Sequence, residues 1–210
     1  MNRILHIIAS PRGDQSRSIS LANHFIDIAK INYPHVVIEE IDLFHEELPS
    51  LTAETVSGKY QLMGGKDVPR ELQHLWKPIV NHINRFLAAD TVVITTPMWN
   101  FSIPHVLKHY IDIIFQPRYL FKYTEQGPQG LAEKTSVVVI ATSGGDYSAD
   151  SPFAHMDHLQ PYLKSVFGFA GVKELHFITA QPMDAGGPEV TSRELEKGQK
   201  AIERLPIWKK

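Results

Sequence analysis

Apolar residues along this chain follow two alternating rhythms. Runs at residues 4–9, 91–96 and 136–142 are almost continuously apolar, with a more mixed run at 36–42 and a short one at 174–178. Length and β-branched content make each a strand, and the continuous ones read as buried on both faces. Between them the spacing turns helical. Residues 18–31 place Ile19, Ala22, Phe25, Ile26 and Ala29 on one face. Leu72, Leu75, Trp76, Ile79, Val80, Ile83 and Leu87 form a second helical face, in which Pro78 predicts a kink. A third helix starts near Pro104 and carries Val106, Leu107, Tyr110, Ile111 and Ile114. Residues 153–167 repeat the spacing with an internal Pro161, and residues 191–205 form a more polar closing helix. Two stretches break the rhythm. Residues 44–67 mix polarities around three glycines and read as irregular, and residues 115–131 form a long excursion. Five strands alternating with helices predict an α/β fold, a doubly wound parallel sheet with helices on both faces. No internal repeat or domain boundary interrupts it, so one domain is expected across the chain.

Composition narrows the function. At 210 residues with 43% hydrophobic content, the chain can build a full core. A formal net charge of -2 gives neither the basic face that nucleic acids need nor the strongly acidic surface of a small dedicated electron carrier. Without cysteine there are no disulfides, thiolate nucleophiles or Cys-ligated metal sites. The apolar start is too short for a secretory signal and is broken by His6, and no segment has the length of a membrane span. A cytoplasmic location is expected. His105 and His109, and His155 and His158, are spaced to share helix faces, but no glutamate or third ligand completes a zinc site, so no metal is expected. Ser143 lacks the Gly-x-Ser-x-Gly frame of a hydrolase nucleophile.

Three strand-to-helix loops would share the carboxyl edge of the sheet, where open α/β sheets bind ligands. The first, residues 10–20, sets Ser10, Ser16, Arg17 and Ser18 at a helix N-terminus. Free amides and the helix dipole favour a phosphate there. The loop has neither the Gly-Lys-Ser/Thr of a triphosphate site nor the glycines of a dinucleotide fingerprint, which leaves a monophosphate. Simple N-capping by Ser16 or Ser18 explains the same residues equally well. The second loop, Pro97-Met98-Trp99-Asn100-Phe101, joins two aromatics and a carboxamide between prolines. It suits a planar, hydrogen-bonding guest or a buried aromatic corner. In the third, Thr142, Ser143, Gly144 and Gly145 allow close approach of backbone to a ligand.

Taken together, these residues resemble the FMN-dependent NADH:quinone oxidoreductase and azoreductase family of flavodoxin-like proteins. The shared elements are Ser10 with Ser16-Arg17-Ser18, Pro97 to Phe101, the stretch from Phe121 through Thr124-Glu125-Gln126-Gly127 to Leu131, the Thr142 to Gly145 turn, and Pro161-Tyr162-Leu163 running to Phe169. Trp99 stands where the family commonly has tyrosine, and an arginine often found before the glycine turn is absent. The resemblance implies that Ser10, Ser16, Arg17 and Ser18 hold the FMN phosphate. It places Met98, Trp99, Asn100 and Phe101 against the isoalloxazine and Thr142, Ser143, Gly144 and Gly145 at its pyrimidine side. It also implies a homodimer, with aromatics at Tyr123 and Phe169 shaping the substrate site. The implied reaction moves two electrons from NADH or NADPH to a quinone, or to an azo compound that is thereby cleaved, in ping-pong order. No side chain is then an obligatory acid or base, because the cofactor carries the chemistry. Asn100 and nearby amides would stabilise negative charge on the reduced ring. The alternative is a flavodoxin-type electron-transfer protein.

Overall fold

The computed structural model describes residues 1–209. The chain runs β1 (Arg3–Ile8), α1 (Arg17–Asn32), β2 (Val37–Asp42), α2 (Ala53–Met63), α3 (Gln73–Leu87), β3 (Thr91–Pro97) and α4 (His105–Ile114). It continues through β4 (Phe121–Thr124), β5 (Gly127–Gly130), β6 (Ser136–Thr142), α5 (Leu159–Phe169), β7 (Leu175–Ala180) and α6 (Gly187–Glu203). β1, β2, β3, β6 and β7 form one sheet in the order β2-β1-β3-β6-β7, parallel throughout. The five predicted strands are these five, and numbered among themselves they run 2-1-3-4-5, the order of flavodoxin-like doubly wound sheets.

Strand alternation divides the core in two. Leu5, Ile7, Val92, Ile94, Val137 and Val139 face one layer, where α3, α4 and α5 contribute Ile79, Phe86, Leu107, Ile111 and Phe167. Ile4, Val93, Val138 and Ile140 face the other, against Leu21 and Phe25 of α1 and Ile202 of α6. The central strands are thus apolar on both sides, as their continuous sequence runs require.

The order reverses at β1. From it the chain moves outward to β2 and then returns to β3 on its other side. The loops after β1 and β3 therefore diverge, and a crevice opens between them at the carboxyl edge.

Two expectations need correction. Residues 44–67 are not irregular: α2 forms within them, begun by Thr52, whose hydroxyl accepts the Thr55 amide at 3.4 Å. Its helical spacing was hidden because it buries only Thr55, Gly58 and Leu62. Gly58 is there for space, since a Cβ would overlap the Trp76 indole. The helix read over 153–167 is a short 3-10 turn at Ala154–Met156 followed by α5. The Asp157 carboxylate accepts the amides of Leu159 and Gln160 at 2.9 and 3.1 Å, restarting the helix so that Pro161 falls in its first turn, where proline costs little. Residues 115–131 contain the antiparallel hairpin β4–β5.

That hairpin is fastened to the end of α5. Gly130 lies so close to Ala170 and Gly171 that a Cβ would overlap their backbone, and the Ala132 amide donates to the Ala170 carbonyl at 2.9 Å. Docking brings Phe121 to 5.0 Å from Phe169, with Tyr123 of the same strand 5.7 Å from Phe121, centroid to centroid. Gly130→Ala should therefore lift the hairpin and lower stability by about 1–3 kcal/mol, the usual range for overpacking. Hydrogen exchange would report it as lost protection at the Leu131 and Ala132 amides; unchanged protection would show that the contact yields without cost.

Candidate functional site

The loops after β1, β3, β6 and β7 meet around a cavity of about 200 Å³ at the carboxyl edge. Ser10, at the end of the first strand run, donates its hydroxyl hydrogen to Ser16 Oγ at 2.8 Å, and Ser16 Oγ lies 3.0 Å from Ser18 Oγ. Ser16 also accepts the Ile19 amide at 3.4 Å, which makes it the N-cap of α1. Capping and a hydroxyl row at the cavity are therefore one arrangement and not rivals. The row borders the positive end of a sixteen-residue helix, with Arg12 and Arg17 on the rim. No lysine joins them at this cavity.

Met98 and Trp99 form the wall contributed by β3. The Met98 amide donates to the Thr142 carbonyl at 2.8 Å, which ties this wall to the loop after β6. Beyond it, Trp99 and Ser102 bond each other's backbone in both directions, at 2.9 and 3.0 Å, around Asn100 and Phe101. Those two residues have φ values of 46° and 70°. This is a two-residue turn of the primed kind, which asks for positive φ at both central positions. Asparagine tolerates that conformation; phenylalanine rarely adopts it. The strain is held by neighbours. The Phe101 carbonyl accepts the His158 amide at 2.9 Å, and its ring meets Tyr147 edge-on at 6.0 Å. On the other flank, Trp99 stacks with His105 at 6.4 Å and meets Phe44 at 5.8 Å. Aromatic pairs thus flank a turn whose tip is exposed.

The loop after β6 is pinned from the far edge of the sheet. Ser143 Oγ lies 2.9 Å from Gln181 Oε1, which also accepts the Tyr147 amide at 3.1 Å. The Met183 amide donates to the Ser143 carbonyl at 2.9 Å, and the Asp184 and Ala185 amides both reach the Gly144 carbonyl at 3.1 Å. Gly144 is a cradle that any side chain would fill, since a Cβ there would stand 2.8 Å from Asp184 Oδ2.

Under the crevice, His6 is wholly buried in β1. Its Nδ1 lies 3.2 Å from Glu40 Oε1 and its Nε2 2.8 Å from Thr95 Oγ1. The hydrogen bond from His6 holds the Glu40 carboxyl below the ordinary carboxylate range. A carboxylate can only accept, so Nδ1 donates to Glu40, and the Thr95 hydroxyl pairs with Nε2.

Of the sequence-predicted residues, Ser10, Ser16, Arg17, Met98, Trp99, Thr142, Ser143 and Gly144 line the cavity. Ser18 is buried behind Ser16, and Asn100 and Phe101 stand at the exposed turn. Gly145 packs on Tyr147. Tyr123 and Phe169 are elsewhere: Tyr123 lies in β4 after α4 and Phe169 ends α5, both helices run back from the carboxyl edge, and the two rings gather around Phe121 near the opposite edge. Sequence reasoning missed Met183 and Asp184. The signal was the Pro- and Gly-rich segment from Pro182 to Pro188, a fourth strand-to-helix loop concealed by setting the start of α6 at 191.

Among the described residues, no group of three or more His, Asp or Glu side chains is placed to hold a metal. His109 instead donates to the Pro49 carbonyl at 3.1 Å. A larger cleft of about 580 Å³ lies between α3 and the segment after α4, bordered by Trp76, Lys77, Asn81, Arg118 and Tyr119. None of the four carboxyl-edge loops reaches it.

A family model described as a flavodoxin-like fold matches residues 2–205. The FMN-dependent NADH:quinone oxidoreductase of Nitratidesulfovibrio vulgaris (strain DP4) is 33% identical over 207 residues, covering 99% of each chain. That of Caldicellulosiruptor saccharolyticus is 37% identical over 191 residues, 90% of this chain and 91% of its own. Among solved structures, an azoreductase from Bacillus anthracis str. Sterne superposes with a TM-score of 0.85 at 29% identity, covering 98% of this chain and all of that one. An FMN-dependent NADH-azoreductase from Bacillus anthracis str. Ames Ancestor, in complex with FMN, superposes with a TM-score of 0.84 at 32% identity, covering 97% of this chain and 99% of that one.

The primed turn predicts an asymmetry at Asn100. Asn100→Ala forces alanine into positive φ and should lower stability by about 1–2 kcal/mol, whereas Asn100→Gly should cost far less. Urea unfolding of the pair checks it; equal losses would place the cost in the carboxamide and not in the backbone.

Proposed function

The chain belongs to the flavodoxin-like family of FMN-dependent NADH:quinone oxidoreductases and azoreductases, and on that premise we propose that it binds FMN in the carboxyl-edge cavity and carries two electrons from NADH or NADPH to quinones and aromatic azo compounds in ping-pong order. The observation that carries the proposal is the meeting of a buried hydroxyl row, an aromatic turn and a glycine cradle around one cavity at the point where strand order reverses.

The residues suit that cofactor. Ser10, Ser16 and Ser18 with Arg17 at the start of α1 would take the phosphate, which needs donors and positive charge but no lysine. Met98 and Trp99 would lie along the ring, with Asn100 and Phe101 at its edge, and the loop backbone from Thr142 to Gly145 would meet its pyrimidine side. FMN, when bound, supplies the hydride-accepting and electron-donating chemistry. The chain's part is to hold and orient it. Donor amides and Asn100 at the turn would lie where negative charge develops on reduction.

Tyr123 and Phe169 fit this function only through a second copy. In one chain they sit near the opposite edge from the cavity, 57% and 41% exposed. A homodimer could set them over the partner's aromatic turn, where Trp99 and Phe101 are also well exposed. Among the described residues no helix is long and apolar enough to cross a membrane, and we place the enzyme in the cytoplasm as one flavodoxin-like domain.

Two experiments test the reading. Anaerobic addition of NADH, then of NADPH in a separate sample, to FMN-loaded protein should bleach the flavin band, with subsequent recovery on adding a quinone. The faster nucleotide is the donor. Bound flavin that neither reduces would make the chain an electron carrier, and no flavin binding would end the proposal. Replacing Ser16 and Ser18 together by alanine should weaken FMN binding by about tenfold or more, worth about 1.4 kcal/mol, and leave riboflavin binding unchanged. Equal losses for both ligands would reduce the serines to helix capping.

A further inference from the structure

Arg17 is the first residue of α1, and its Nη1 lies 2.6 Å from Asp184 Oδ1. Both residues line the cavity, and they enter it from opposite ends of the chain. Asp184 is set there by its backbone. Its own amide and that of Ala185 are bonded to the Gly144 carbonyl, Met183 is bonded to Ser143, and Thr191 at α6 donates its hydroxyl to the Met183 carbonyl at 2.8 Å. The carboxylate then projects over Gly144. A row of phosphate-type donors therefore has one acid among its neighbours, and that acid is bonded to the arginine at the start of α1.

The arrangement is unfavourable for an anion in two ways. Asp184 repels a dianion, and it occupies a guanidinium that a phosphate would otherwise have to itself. The contact is also weak. Asp184 is 69% exposed and Arg17 32%, and pairs of that exposure contribute little and yield readily. A phosphate carries more charge than one carboxylate and adds the pull of the helix N-terminus, so it wins the exchange.

We propose that Asp184 is an acidic latch on Arg17: it holds the guanidinium across the cavity until the phosphate of the ligand takes it over, and so sets the affinity for FMN below what the cradle alone would give. This rests on the FMN reading above. The latch acts only on ligands that carry the phosphate, because its partner is the phosphate-binding arginine. Riboflavin, which presents the same ring and ribityl chain, does not compete for Arg17.

The test is a flavin-fluorescence titration of the apoprotein with FMN and with riboflavin, in wild type, Asp184→Asn, Arg17→Gln and the double variant. Asparagine keeps the size of the side chain and the loop's backbone bonds while removing the charge. Asp184→Asn should tighten FMN binding by about threefold to fivefold, the scale of an exposed ion pair, and leave riboflavin unaffected. The gain should vanish in the Arg17→Gln background. Unchanged or weaker FMN binding in Asp184→Asn overturns the latch, as does a gain shared by riboflavin or one that survives without Arg17. FMN binding by the wild type with no such gain in Asp184→Asn refutes the latch alone; wild-type protein that binds neither flavin refutes the proposed function and the latch with it.

Discussion

Parallel pairing of all five strands of the main sheet is the constraint on which the rest depends. It puts every strand's carboxyl end on one edge and obliges the chain to return through a helix each time. Each return hides apolar helix faces against the sheet, which is why the core divides into two layers and the central strands are apolar throughout. The same constraint delivers a loop from every strand to a single edge, and four of them line the cavity. Because the strand order turns back at β1, the loops after β1 and β3 part there, and the cavity lies between them.

The readable parts of the sequence were those in which one force acts alone. Residues 136–142 are a strand because nothing but burial operates on them. The loops at Ser10 to Ser18, Met98 to Phe101 and Thr142 to Gly145 were legible because polar groups, aromatics and glycines interrupt apolar patterns at strand ends. What escaped were features created by tertiary contact. α2 has little amphipathic signal because a tryptophan from α3 lies against Gly58. The break at Asp157 depends on a carboxylate that caps the following helix, and a helical spacing drawn straight across 153–167 conceals it. Asp184 was invisible for a similar reason, since its meaning comes from Arg17, far away in sequence.

Ser16 shows how two explanations that compete on paper become one in three dimensions. Its hydroxyl caps α1 and belongs to the row formed with Ser10 and Ser18. Starting a helix and offering donors to an anion are the same act seen from two sides, because both use the unpaired amides of the first turn. His6 plays a comparable part below. A polar ring in the middle of a buried strand is costly unless both nitrogens are engaged, and here Glu40 and Thr95 engage them.

One helix joins the two aromatic regions of the molecule. The amide of His158, just before α5, is bonded to the carbonyl of Phe101 in the strained turn, and Phe169 at the last position of α5 packs with the hairpin that Gly130 seats. Eleven residues of helix make a strut about 16 Å long, rigid along its axis. Its ends cannot shift independently. A guest that pushes on the Phe101 turn therefore leans, through the length of α5, on Tyr123 and Phe169 at the far side of the same chain.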